Sequence, residues 1–150
     1  MRTTYTTLFA AGIALTCWAA PAGAGLLSAT GSVIAILDGA LFVGEAEGHL
    51  SGAGTLLIHS QKDPALTCIG QFTSSIKLGG AGQMQCTDGN TATFRFQRLS
   101  VFRGHGSGSS SRGTMSFVYG LSAEEAVPYL KLPEGKTLSR RGTELALVDL

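Results

Sequence analysis

The sequence predicts an all-β domain, either a small antiparallel barrel or a tightly coiled sandwich, with one short helix near its C-terminus. Two observations predict the sheet and a third the helix. From residue 32 to residue 122, short apolar-rich runs alternate with turn signals at hairpin spacing. Fifteen of the 21 glycines lie between Gly39 and Gly120, many inside strand patterns, where glycine marks bulges, sharp bends or close backbone approach. Strands that curve so strongly suit a closed or coiled sheet. Finally, Ser122 followed three residues later by Glu125 is a capping box that opens a helix.

The elements follow in order. Residues 33–37 form a strand, Asp38-Gly39 is a strong two-residue hairpin signal, and 40–50 returns. Ser51-Gly52-Ala53 turns the chain into 54–60, and 61–64 loops to a strand at 65–74. Gly79-Gly80 bends into 81–86, and Asp88-Gly89-Asn90 turns into 91–97. A strand at 99–103, a long Gly/Ser loop at 104–112 and a strand at 113–119 complete the core, 32–120. Pro128 removes an internal donor, so the helix in 122–130 is one or two turns long. The tail, 131–150, carries a possible last hairpin, 137–140 and 143–148, across Arg141-Gly142.

Register follows from the requirement that opposite residues share a face. A three-residue loop at Asp88-Gly89-Asn90 sets Cys86 against Ala92, Met84 against Phe94 and Gly82 against Phe96, with Asn90 in the left-handed position. Cys68 and Cys86 then both point inward. A loop at Ser51-Gly52-Ala53 sets Ala46 against Ile58 and Glu45 against His59.

The first 24 residues read as a secretory signal: Arg2, an apolar run from 8 to 20, and Ala22-Gly23-Ala24 for cleavage. Cys17 follows Leu15-Thr16, which departs from the small residue that a lipidated cysteine wants before it. Removing residues 1–24 of 150 leaves 126, enough for one domain, 25–150. It also removes Trp18, Cys17 and one positive charge, leaving 10 basic and 10 acidic residues. A neutral chain gives no electrostatic argument for nucleic acid. No later apolar run reaches the roughly 18 residues of a membrane helix. The remaining pair, Cys68 and Cys86, is expected to form a disulfide in a periplasmic or extracellular protein. An outer-membrane barrel also fits export, but the strands are short and aromatic girdles are lacking.

Two groupings could carry chemistry. Glu45, Glu47 and His49 share one strand face, with His59 across from them, so the patch could bind a divalent metal or pair an acid with a base. The competing reading is a solvated outer face with ordinary cross-strand pairs. Arg95, Arg98, Arg103 and Arg112 lie in a stretch without acids and could hold an anion, or simply keep sheet faces and edges soluble. Gly104-His105-Gly106-Ser107-Gly108 has neither the order of a nucleophile elbow nor that of a phosphate-binding loop, and is expected to be a mobile hairpin loop. The aromatics sit mostly at inward parity, which argues against an exposed sugar-binding platform.

Cys68-x-Gly70, Gly80-x-Gly82-x-Met84-x-Cys86-x-Asp88-Gly89, Phe94-x-Phe96, Gly104-x-Gly106-x-Gly108 and Phe117-x-x-Gly120 together resemble a pattern in small exported proteins of Gram-negative bacteria. The resemblance covers roughly residues 42–120. It implies an exported β-rich domain and brings over no catalytic residues. The expectation is a non-catalytic exported domain that binds a protein or small-molecule partner and needs no cofactor. The alternative is a small metal-dependent enzyme or hydrolase built on the Glu45, Glu47, His49 and His59 patch.

Overall fold

The computed structural model describes residues 28–75 and 77–150; the signal segment lies outside the described residues. Eight strands run in simple up-and-down order: β1 (Ser28–Leu37), β2 (Ala40–His49), β3 (Ala53–Ser60), β4 (Thr67–Ser75), β5 (Gly79–Cys86), β6 (Thr91–Ser100), β7 (Arg103–Ser110) and β8 (Thr114–Tyr119). Each pairs antiparallel with the next. The sheet closes where Val33–Leu37 of β1 pairs with Met115–Tyr119 of β8, so the chain forms a closed barrel. After β8 come the short helix α1 (Ala123–Ala126), a 3-10 turn (Val127–Tyr129) and a separate hairpin, β9 (Lys136–Arg141) and β10 (Glu144–Asp149).

Alternation along the strands sorts side chains into two layers. Val33, Ala35, Leu37, Phe42, Leu56, Ile58, Met84, Phe94, Phe96, Met115 and Phe117 fill the barrel. On the outside of β1, β2 and β8, Ile34, Ile36, Leu41 and Val118 pack under Leu121, Ala123, Ala126 and Leu130 of the helical segment and Leu145 of β10. This explains why Val33-Ile34-Ala35-Ile36-Leu37 is apolar without alternation: β1 is buried on both faces. Ser116 ties the two layers, its Oγ accepting from the Lys131 N–H at 2.8 Å. The capping box closes as the spacing requires, with Glu125 N–H donating to Ser122 Oγ at 3.3 Å and Ser122 N–H to Glu125 Oε2 at 2.9 Å. On the rest of the wall, β4 to β6 turn Gln71, Thr73, Gln83, Gln85, Thr93 and Arg95 outward to solvent, with Ile69 exposed among them.

The interior glycines are explained by the rings across from them. Gly54 faces Phe72, Gly82 faces Phe94, Gly106 faces Phe117 and Gly104 faces Tyr119 on neighbouring strands. A Cβ at any of the four would overlap that ring and the backbone beside it. The small interior of an eight-stranded barrel accepts this many aromatics only where their partners have no side chain.

Three expectations are corrected. Residues 104–110 belong to β7 and are not a mobile loop: alternate glycines face Phe94, Phe96 and Phe117, and the turn lies earlier, at Val101-Phe102. Phe102 is consequently exposed. Two hairpins keep their predicted faces but shift by two residues, pairing Ala46 with Leu56 and Met84 with Ala92. In both, glycine takes the left-handed position, Gly52 at φ 92° and Gly89 at φ 85°, so the turn sits one residue earlier and Asn90 is freed for another role. The last hairpin turns at Gly142-Thr143, one residue later than expected, with Gly142 at φ 61°. The Asp38-Gly39 hairpin has both central residues at positive φ, as the sequence requires. Cys68 and Cys86 sit directly opposite on β4 and β5 and are bonded.

Candidate functional site

The two ends of the barrel differ. At one, the Asp38-Gly39, Thr87–Asn90 and Ser111–Gly113 turns close over the core through a hydrogen-bonded cluster. The buried Asn90 side chain donates to Asp38 Oδ2 at 2.8 Å and accepts from Ser111 Oγ at 2.7 Å, while Ser110 Oγ donates to Asp38 Oδ1 at 2.6 Å. The disulfide lies in this closed half.

The other end is open. Inside it is a cavity of about 510 Å³. Its walls are Val33 on β1, Ala46 on β2, Leu56 on β3, and the rings of Phe72, Phe96 and Phe117 on β4, β6 and β8. The rings meet edge to face, Phe72 with Phe96 at 5.5 Å and Phe96 with Tyr119 at 5.9 Å between centroids. Gly31 and Gly48 also line the cavity, and a Cβ at either meets no atom within 4 Å. Apolar side chains stand in water on the three turns of this end, Leu50 74% exposed, Leu78 84% and Phe102 64%, and Leu50 and Phe102 line the cavity.

The deep wall is apolar, and polar side chains line the cavity toward its mouth: Ser28, Thr30, His49 and Ser51 on one side, Ser74, Ser75 and Arg98 on the other. Arg98, at an inward position near the end of β6, reaches the mouth and is clamped there. Its Nε donates to the Ser75 carbonyl at 3.0 Å, Nη1 to the Val101 carbonyl at 2.7 Å and Nη2 to Ser74 Oγ at 2.8 Å. Beside it, the Tyr119 hydroxyl is buried over Gly104 and, among the described residues, is the one buried side-chain polar atom without a hydrogen-bond partner. Burial raises the Tyr119 phenol above its ordinary range, with the Arg98 charge opposing, so it stays a protonated donor at neutral pH.

The four arginines do not form one patch. Arg103 pairs with Glu125, and Arg112 with Asp88 at 2.6 Å. Arg95 points outward on β6, and Arg98 alone enters the cavity. The acid and histidine residues keep their outward parity, but the corrected register places Glu45 opposite Leu57, Glu47 opposite Thr55 and His59 opposite Val43. His59 is thus diagonal to Glu45, and His49 sits at the mouth opposite Ser28. Among the described residues, no group of three or more His, Cys, Asp or Glu side chains is placed to hold a metal ion. His105 stacks on Tyr129 on the outer wall, with ring centroids 4.3 Å apart.

Tyr119 and the cavity itself were the features sequence reasoning missed. Alternating inward positions pointed to a core, and nothing in the pattern distinguishes a filled interior from one left open at one end. Comparison with protein-family models, with curated proteins and with solved structures finds no match to this chain.

Proposed function

We propose that this chain is an exported, non-catalytic binding protein that holds one small, largely apolar molecule inside its barrel. The observation that carries the reading is the cavity. Its volume of about 510 Å³ falls within the range of roughly 300–1,000 Å³ typical of small-molecule sites. Its walls are mostly apolar and held by a closed sheet, and its one guanidinium, Arg98, stands at the mouth, where a polar group can orient a bound ligand. Leu50, Val101 and Phe102 at the mouth offer such a ligand apolar contacts as it enters. The polar outer wall and the Cys68–Cys86 bond support a water-exposed, oxidising compartment, the periplasm or the cell exterior.

The test uses the neutral probe N-phenyl-1-naphthylamine with the processed protein recovered after expression of the full chain. Saturable one-to-one binding with enhanced emission is expected. Gly48→Phe places a ring in the open space above Gly48 and is expected to abolish binding while the melting temperature holds or rises. Absence of saturable binding, or equal binding by Gly48→Phe, overturns the reading.

A further inference from the structure

The geometry points to a carboxylate headgroup on the cavity's ligand, received by Arg98 with Tyr119 as a second donor. This rests on the cavity reading above and adds the chemistry of the ligand's polar end.

Charge is the first argument. The residues lining the cavity include Arg98 and His49 but no Asp or Glu. The three ion pairs among the described residues are Arg103–Glu125, Arg112–Asp88 and Lys136–Asp149, so Arg98 has no acidic partner. A guanidinium at the edge of an apolar chamber is poorly solvated on its inner side, and an anion entering that chamber is the partner it lacks.

Placement is the second. Three hydrogen bonds to Ser74, Ser75 and Val101 fix the guanidinium between the β4 end and the β6–β7 turn. They occupy three of its five N–H groups, leaving two donors on a head that cannot swing away. The cost of ordering the side chain is therefore already met in the folded protein, which favours capture of a planar carboxylate.

The third argument is the Tyr119 hydroxyl. A buried donor without an acceptor is uncommon in a folded protein and calls for an explanation. Tyr119 lines the same cavity as Arg98, and its ring continues the Phe72, Phe96 and Phe117 layer. An acid seated on Arg98 lays its tail along those rings, and a shift of the Tyr119 ring off Gly104, which now covers the hydroxyl, opens the phenol to the acid's second oxygen.

Competition against the neutral probe at pH 8, where the acid is ionised, compares dodecanoate with 1-dodecanol. Wild type is expected to prefer the acid by at least about tenfold, the size of a charge-assisted hydrogen bond. Arg98→Met is expected to reduce that ratio to near one while dodecanol binding persists. Tyr119→Phe is expected to weaken dodecanoate several-fold without lowering the melting temperature, because the hydroxyl it removes has no partner. If Arg98→Met fails to fold, high salt applied to wild type gives the same comparison, lowering acid affinity and sparing the alcohol. Equal affinity for acid and alcohol in wild type overturns the carboxylate assignment and leaves the cavity reading intact. An acid preference unchanged in Arg98→Met, or unchanged by salt, overturns it as well. A probe that never binds removes the cavity reading and this proposal together.

Discussion

Asn90 and Asp38, 52 residues apart, are joined at 2.8 Å by the amide nitrogen of one and the carboxylate of the other. The bond links the β5–β6 turn to the β1–β2 turn across the closed end, and Ser110 and Ser111 extend it to the β7–β8 turn. Asn90 is 4% exposed, so truncating it strands donors and acceptors away from water. Asn90→Ala is expected to destabilise the fold by about 1–3 kcal/mol, the penalty for orphaned buried polar groups. Urea unfolding followed by circular dichroism measures it, and an unchanged midpoint would show the cluster to be ornamental. Probe binding at the far end should survive the substitution.

Glycines of the barrel divide into two kinds, and stability should divide with them. At Gly106 a Cβ would overlap the Arg95 carbonyl and the Phe117 ring; at Gly48 it meets nothing within 4 Å. Gly106→Ala is expected to cost about 1–3 kcal/mol through overpacking. Gly48→Ala, in a strand interior where glycine is entropically unfavourable, is expected to be neutral or to stabilise by up to about 1 kcal/mol. Thermal unfolding of the two variants side by side decides the matter. Equal effects would mean that the overlaps at the ring-over-glycine pairs are relieved at no cost to the fold.

The face each residue takes was legible in the sequence, whereas its partner often was not. Period-2 alternation fixed Met84, Cys86, Phe94 and Phe96 as inward, because an error of one residue would bury Gln83, Gln85 and Arg95. An error of two residues keeps every face, so only turn chemistry could settle it. There Gly89 and Gly52, both able to take positive φ without cost, displaced the expected turn centres. Residues 104–110 misled for a related reason. Gly and Ser in alternation read as a loop locally, and the rings that make Gly104, Gly106 and Gly108 necessary lie on other strands. Arg98 shares the inward parity of Phe94 and Phe96, so alternation alone separates it from Arg95. Only closure of the barrel sets it at the mouth of a cavity, while Arg103 and Arg112 pair with acids elsewhere.

Cys68 and Cys86 close a segment with a sequence separation of 18 residues in the half of the barrel away from the cavity. The native protein should be lighter than its reduced form by the two thiol hydrogens, and should give no thiol reaction without denaturant and reductant. Paired replacement, Cys68→Ala with Cys86→Ala, is expected to lower stability by about 3 kcal/mol through freedom regained by the unfolded chain. Because neither cysteine lines the cavity, the folded fraction of that variant should bind the neutral probe with wild-type affinity. Loss of binding in a protein still folded by circular dichroism would place the disulfide's influence at the mouth as well.

Acid should loosen the barrel and its helical cap at two points, besides the last hairpin, where Lys136 holds the Asp149 carboxyl below its ordinary value. The Asn90 N–H and the Arg112 side chain hold the Asp88 carboxyl below its ordinary value of 3.8. The Ser122 N–H, with Arg103 beside it, does the same to Glu125 relative to 4.5. A carboxyl whose folded value is depressed contributes stability that is complete above its unfolded value and is lost as pH falls toward the folded one. The melting temperature should therefore be flat from neutrality to about pH 5 and decline below that. Both carboxyls are solvent-exposed, so the decline begins gently and deepens as further carboxylates protonate. In the double variant Asp88→Asn, Glu125→Gln, the neutral-pH melting temperature should drop slightly and the acid decline should be shallower than in wild type. An acid limb of unchanged steepness would show that the acid sensitivity resides in other carboxylates, and that neither the capping box nor the Asp88–Arg112 pair contributes to stability through its charge.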